Sequence, residues 1–311
     1  MILSCGEALI DMLPRATVAG ESGFLPCPGG AVFNTAIALG RLGAPSAFFS
    51  GVSTDLFGGM LTEALRASNV DISRLARSGR PTTLAFVTLD GGEARYAFYD
   101  ENTAGRMLCE ADLPELTPDI SALFFGGISL VSEPAASAYE ALQAKAAPSR
   151  LIMLDPNIRP GFIAGREAAT RARLARMIER ADIVKLSTDD LCWLEGEGDR
   201  AAQARTILTR GPKLVFLTEG ARGARAFGAE HDCRLPARAV TVADTVGAGD
   251  TFNAGVLAAL HEAGALTKAA VASADAALLA RCLDLGIRAA AVTVSRPGAD
   301  PPWRHELGEK A

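Results

Sequence analysis

The stretch DTVGAGDTFNAG, residues 244–255, sets three glycines and two aspartates at what reads as the junction of a strand and a helix. Ahead of it, Arg238 to Val242 (RAVTV) is short and rich in β-branched residues, which predicts a strand running into the turn. Behind it, Phe252, Val256, Leu257 and Leu260 recur at helical spacing as far as Gly264, a C-terminal stop. Gly247 and Gly249 allow backbone conformations closed to other residues. The N–H groups of the first helical turn have no intrahelical acceptor and carry partial positive charge, so the turn is an anion site. Two familiar phosphate-binding turns do not fit. No lysine follows the glycines as a P-loop requires, and Phe252 stands where the dinucleotide fingerprint needs its third glycine. Asp250 is electrostatically awkward beside such a site unless its task demands proximity. A general base taking a proton from an attacking hydroxyl, while the amides hold the transferred phosphoryl group, has that task. The plainer alternative is that Asp250 caps the helix.

Composition narrows the class. The chain has 311 residues, 49% hydrophobic and 22% charged, enough for one large α/β domain or two smaller ones. A formal charge of −5 and the lack of a Lys/Arg cluster argue against nucleic acid or a membrane surface as partner. The opening MILSCGEALIDML has no basic start and carries Glu7 and Asp11, unlike a signal peptide, and no apolar run is long enough for a membrane span; a cytoplasmic protein is expected. Six cysteines without C-x-x-C spacing and three histidines without a paired spacing suggest reduced thiols and no transition-metal site.

Apolar runs at residues 2–5, 47–52, 122–125, 151–155, 183–186, 214–218 and 291–294 predict strands buried on both faces. Helical patterns at 32–42, 57–67, 134–146, 166–180, 200–208 and 268–285 lie between them, so the expected architecture is a mainly parallel sheet covered by helices. Two regions break this rhythm. Residues 12–27 carry prolines and glycines without an apolar period, and 83–99 alternates around Asp90-Gly91, a hairpin signal. Together they read as a small β lid, useful where phosphoryl transfer must exclude water.

Polar residues then gather at strand ends. Gly29 and Gly30 precede a helix that carries Asn34, whose amide both donates and accepts, and Asp11 leaves the first strand on the side where open parallel sheets bind ligands. LIMLDPNIRP places Asp155, Asn157 and Arg159 together, Asn157 and Arg159 alternating toward one cleft. VKLSTDD brings Lys185, Ser187, Asp189 and Asp190, carboxylates that suit magnesium through water. FLTEGARGA adds Thr218, Gly220 and Gly223 at a flexible turn. Singly, each could be a helix cap, a surface acid or a loop glycine.

The closing DTVGAGDTFNAG together with PGGAVFNTAIALGRLG resembles the two signatures of the ribokinase-like sugar kinases, in an order that spans nearly the whole chain. The resemblance implies a single three-layer α/β kinase domain over 1–311, its central mainly parallel sheet flanked by helices, with β lid elements from about 12–27 and 83–106. It implies ATP and magnesium, and admits a monovalent cation such as potassium near Asp244 and Gly298 and a homodimer formed through the lid. By the same resemblance Asp250 is the catalytic base and the 247–250 turn, Gly247, Ala248 and Gly249 included, the anion hole. Asp11, Gly29, Gly30, Asn34, Phe98 and Arg159 fall at the sugar. Lys185, Ser187, Thr218, Gly220, Gly223, Gly247 and Gly249 fall at ATP, with Asp275 near the adenine. Asn157 and Asp190 fall at the metal, through water, although Ser187 and Asp190 replace the family's usual Asn and Glu. GEALIDMLP and FYDENTAGRML look most like bacterial fructokinases.

The expected activity is therefore phosphorylation of a sugar primary hydroxyl, fructose to fructose 6-phosphate. A 2-keto-3-deoxygluconate kinase is the near alternative, its acid substrate needing a cation such as Arg95 or Arg106. A ribose or nucleoside kinase ranks below it. From other classes, a non-catalytic sugar-binding regulator is opposed by the complete GAGD turn, and a nicotinamide dehydrogenase by the glycine pattern.

Overall fold

The computed structural model describes residues 1–90 and 93–308, with backbone only for 89, 90 and 93–95. In chain order the strands are β1 (Ile2–Cys5), β2 (Leu9–Ala16), β3 (Ser22–Gly29), β4 (Ser46–Phe49), β5 (Gly51–Ser53), β6 (Val70–Asp71), β7 (Ala76–Ser78), β8 (Leu84–Asp90), β9 (Glu93–Tyr99), β10 (Ala122–Gly126), β11 (Leu151–Asp155), β12 (Ile183–Ser187), β13 (Leu214–Thr218), β14 (Ala224–Phe227) and β15 (Asp232–Leu235). The helices are α1 (Ala31–Arg41), α2 (Leu56–Ala67), α3 (Ala135–Ala146), α4 (Pro160–Ile163), α5 (Glu167–Arg180), α6 (Thr188–Glu195), α7 (Arg200–Leu208), α8 (Ala248–Glu262), α9 (Lys268–Ala272) and α10 (Ala276–Val294).

The central sheet has nine strands in the order β15-β14-β13-β12-β11-β10-β1-β4-β6. From β6 to β13 the pairs are parallel, and the β13–β14 and β14–β15 pairs at the edge are antiparallel. The apolar runs are buried on both faces because successive side chains point to opposite layers. Along β13, Leu214 and Phe216 pack with α1, α8 and α10, while Val215 and Leu217 pack with α3, α5 and α7. The chain passes from β1 to β4 and β6 on one side and returns to β10 on the other. Beside β1, therefore, the connections diverge, opening a crevice at the carboxyl ends of the strands, where ligands of such sheets bind.

The irregular regions form a separate four-stranded sheet, β3-β2-β8-β9. Asp11 pairs with Cys27 and Ala85 across it, and Ala85 pairs with Phe98, so all four lie on one face. β8 and β9 pair down to Asp90 opposite Glu93, as the hairpin signal predicts; Gly91 lies outside the described residues. Among the described residues no helix is long and apolar enough to cross a membrane.

Two predicted strands are not strands. Residues 291–294 are the last turn of α10, where a long apolar stripe packed on α8 overrides the β-branched preference of Val292, Thr293 and Val294. The 268–285 helix is correspondingly two helices, each opened by its own side-chain cap, Thr267 and Asp275. Residues 238–242 lie outside any strand: β15 stops at Leu235 before Pro236, which has no N–H to continue a ladder. Val240 and Val242 are left exposed.

Candidate active site

Two glycine-led helix starts, far apart in sequence, meet over the carboxyl ends of β1 and β11. Gly30 (φ 111°) turns the chain into α1, and Gly247 (φ 77°) turns it into α8, both in the positive-φ region that glycine tolerates. Their contact is chemical: Asn34 Nδ2 donates to Asp250 Oδ2 at 2.9 Å, and Thr35 Oγ1 donates to the Asp250 carbonyl at 3.2 Å. Asn157, itself at φ 45°, points its amide at the other carboxylate oxygen, 3.4 Å away. Asp250 caps nothing, since α8 starts without a side-chain cap bond. The capping alternative therefore fails.

Asp250 is only 7% exposed. Burial pushes its carboxyl up to about 7, Asp155 adds to the rise, and the Asn34 hydrogen bond, Lys185 and Arg159 oppose it. A carboxylate poised near neutrality beside the amides of a helix start has the acid–base balance a proton acceptor needs.

On the neighbouring sheet, Asp11 lies against Gly29, where an added Cβ would sit 2.3 Å from its Oδ2. Burial raises the Asp11 carboxyl to about 6. Phe98 reaches across to Phe162 of α4 in an edge-to-face contact, ring centroids 4.9 Å apart, which ties the small sheet to the segment carrying Asn157 and Arg159. The Arg159 side chain is exposed at the mouth.

Further along the sheet, Ser187 and Thr218 are register partners at the ends of β12 and β13. Gly220 (φ 58°) and Gly223 (φ 97°) shape the following turn, and Gly223 abuts the Leu235 carbonyl so closely that a Cβ would lie 2.1 Å from it. From there the segment to Gly247 carries the exposed side chains of Val240, Val242 and Val246, the first two within the β-branched run that predicts a strand. Asp244 accepts from the Val246 and Gly298 amides, joining this segment to the loop after α10.

Three expectations change. Asp190 is no open metal donor: its Oδ1 accepts from the Ile158 amide at 2.7 Å and its Oδ2 from the Ser187 amide and hydroxyl at 2.8 and 2.6 Å, the reciprocal bonds of a capping box at α6. The Lys185 ammonium is buried behind the Gly249 turn and already paired with Asp155 Oδ2 at 3.0 Å. Asp275 is exposed and spends its carboxylate on the Leu278 amide as the cap of α10. Sequence reasoning also missed three contributors. Glu7 accepts from the Ala31 amide at 2.9 Å and the Ser129 amide at 3.2 Å, standing in for the side-chain cap that Gly30 cannot give α1. Asn253 donates to Asp155 at 2.7 Å, and Thr35 holds the Asp250 backbone. The helical spacing of Asn253 after Asp250 was the available signal for the second of these.

A family model for pfkB family carbohydrate kinases matches residues 1–306, and the chain belongs to that family. It is 56% identical over 275 residues to a fructokinase of Rhizobium leguminosarum bv. trifolii, covering 88% of this chain and 84% of that one. Among solved structures, the fold is similar to a fructokinase with bound ATP from Xylella fastidiosa, with a TM-score of 0.87 at 27% identity over 98% of this chain and 97% of that one. It is also similar to a fructokinase double mutant from Vibrio cholerae in a fructose, ADP and potassium ion bound form, with a TM-score of 0.83 at 27% identity over 96% and 93% of the two chains. The resemblance read from the two glycine signatures, the three-layer ribokinase-like body and the sugar-kinase class all stand.

Proposed function

We propose that this carbohydrate kinase transfers the γ-phosphoryl group of ATP to the 6-hydroxyl of fructose. The observation that carries the reading is the buried Asp250 carboxylate, fixed by Asn34 beside the first-turn amides of α8. Asp250 takes the proton of the hydroxyl as its oxygen bonds to the γ-phosphorus and the bond to the ADP oxygen breaks. The Gly249 and Asp250 amides receive the developing negative charge. The 56% identity to a fructokinase supports fructose as the sugar.

Asp11, with Gly29, Gly30 and Asn34, forms the sugar side, and the β3-β2-β8-β9 sheet acts as the lid of one kinase domain, shutting through Phe98 on Phe162. The 218–223 turn and the exposed valines 240, 242 and 246 take the nucleotide, apolar side chains suiting its base. Among the described residues no group of three or more His, Cys, Asp or Glu side chains could hold a metal ion. With Asp190 already bonded to protein, these residues do not fit a protein-held magnesium, and magnesium would arrive with the nucleotide phosphates. Both Asp244 oxygens accept backbone amides, from Val246 and Gly298, so a monovalent cation there would rest on the backbone of the two segments they join. The 2-keto-3-deoxygluconate reading loses ground because Arg106 is paired with Asp100 at 3.1 Å; the Arg95 side chain lies outside the described residues.

ADP release with fructose, 2-keto-3-deoxygluconate, ribose, glucose and adenosine offered separately tests the assignment. Turnover is expected with fructose; another preferred sugar would change the substrate, and none at all would return the protein to the regulator class. Within the same assay, Gly29→Ala is expected to raise the fructose KM roughly tenfold, because the new Cβ displaces the Asp11 carboxylate from its hydrogen-bonding position. An unchanged KM would remove Asp11 from the sugar site.

A further inference from the structure

Behind the anion turn lies a buried ion pair that the chemistry above leaves unused. Lys185 is the middle residue of β12, and its ammonium sits 3.0 Å from where a Cβ on Gly249 would be. Glycine at 249 thus leaves the ammonium against the helix start itself. Its partner Asp155 is held from the other side: Oδ2 accepts from Asn253 Nδ2 at 2.7 Å as well as from Lys185, and Oδ1 accepts from the Asn157 backbone N–H at 3.1 Å. Asn253 lies four residues further along α8 than Gly249. The positive end of the pair therefore touches the mouth of the helix, while the negative end is anchored one turn inside.

We propose that Lys185, fixed by Asp155, is a positioning residue for phosphoryl transfer, its buried ammonium adding positive potential behind the 247–250 turn in the same sense as the dipole of α8. The inference rests on the assignment of that turn as the anion hole. A charge in a water-excluded site acts strongly on a neighbouring developing charge, and here it needs no movement to do so. Because the ammonium is walled off behind Gly249, its effect falls on the transferred group and on the Asp250 carboxyl, whose rise it opposes, and sugar capture is spared.

Lys185→Met and the neutral pair Lys185→Met/Asp155→Asn separate this from a purely structural role. In the double variant the side chain introduced at position 155 keeps an oxygen for the Asn157 amide. Asn253 can turn its Oδ1, a buried atom without a hydrogen-bond partner, toward the new amide. A buried pair replaced by neutral groups of similar shape commonly costs little stability, whereas Lys185→Met alone strands a buried carboxylate and risks misfolding. The expected result is a double variant that melts with the parent, keeps its fructose KM within about twofold and loses roughly tenfold or more in kcat. A double variant with parental melting and parental kcat would overturn the proposal and make the pair structural. A fall in kcat matched by an equal rise in fructose KM would overturn it too. Asp250→Asn is assayed alongside: parental turnover there would undo the base assignment itself, and a parent without sugar-dependent ADP release would remove the kinase reading and this proposal with it.

Discussion

Asp250→Asn is expected to slow fructose phosphorylation by roughly 10²- to 10⁴-fold, about 3 to 5 kcal/mol of barrier, while leaving the protein folded. Asn keeps the shape, and its carbonyl oxygen still accepts the hydrogen bond that Asn34 donates at 2.9 Å, so the geometry of the two helix starts survives. What disappears is the capacity to take the hydroxyl proton. Stability should move the other way. The folded-state pKa of Asp250 is raised, to about 7 from a usual value of 3.8, so the native state holds this proton more tightly than the unfolded chain does. The stabilising contribution of that proton is complete below the unfolded value and is lost as pH rises through about 7. At pH 8 the parent therefore carries the cost of a buried carboxylate that Asp250→Asn does not, and the variant should melt at or above the parent temperature. Single-turnover phosphoryl transfer together with melting at pH 8 checks both halves. A variant that turns over within a few-fold of the parent would dismiss Asp250 as the base; one that melts well below it would make the activity loss a folding effect.

Most of the body was legible because its strands are continuous apolar runs and its helices carry regular apolar stripes between them. β11 and β13 have the expected limits, since a strand buried on both faces leaves little choice about which residues belong to it. The glycine-led starts at Gly30 and Gly247 were legible for a different reason: positive φ values there admit little but glycine. The bonds between elements were not legible. Asn34 and Asp250 lie 216 positions apart, and no spacing rule says that α1 and α8 converge. Lys185 and Asp190 each looked like ligand donors because a charged residue at the carboxyl end of a strand suggests one. In the fold each charge is already answered, by Asp155 and by the start of α6. At 291–294, local preference and tertiary packing disagreed, and the face α10 buries against α8 decided the matter. There Thr293 bonds to Thr251 at 3.0 Å, right behind the anion turn.

The pH dependence of kcat/KM should be steep and bent on its acid side. Both carboxylates of the free enzyme must be ionised: Asp250 to accept a proton, and Asp11 to accept hydrogen bonds from sugar hydroxyls. Burial raises them by unequal amounts, to about 7 and about 6. As pH falls from 7 to 6, only Asp250 is being neutralised and the rate should drop about tenfold. Below 6 both acids take up protons and the slope should approach about 2 in logarithmic units, so that pH 5 lies roughly a thousandfold below the plateau. The two limbs are separable because the carboxylates act on different steps. Asp250 governs proton removal and so marks kcat, whereas Asp11 governs capture and marks KM. Asp11→Asn should thus lower the plateau and straighten the profile to a slope of about 1, leaving the bend near pH 7 in place. A kcat/KM profile measured from pH 5 to 9 on the parent and on Asp11→Asn decides it. A parent profile flat to pH 5 would mean that neither burial nor the neighbouring Asp155 charge raises Asp250 in the working enzyme.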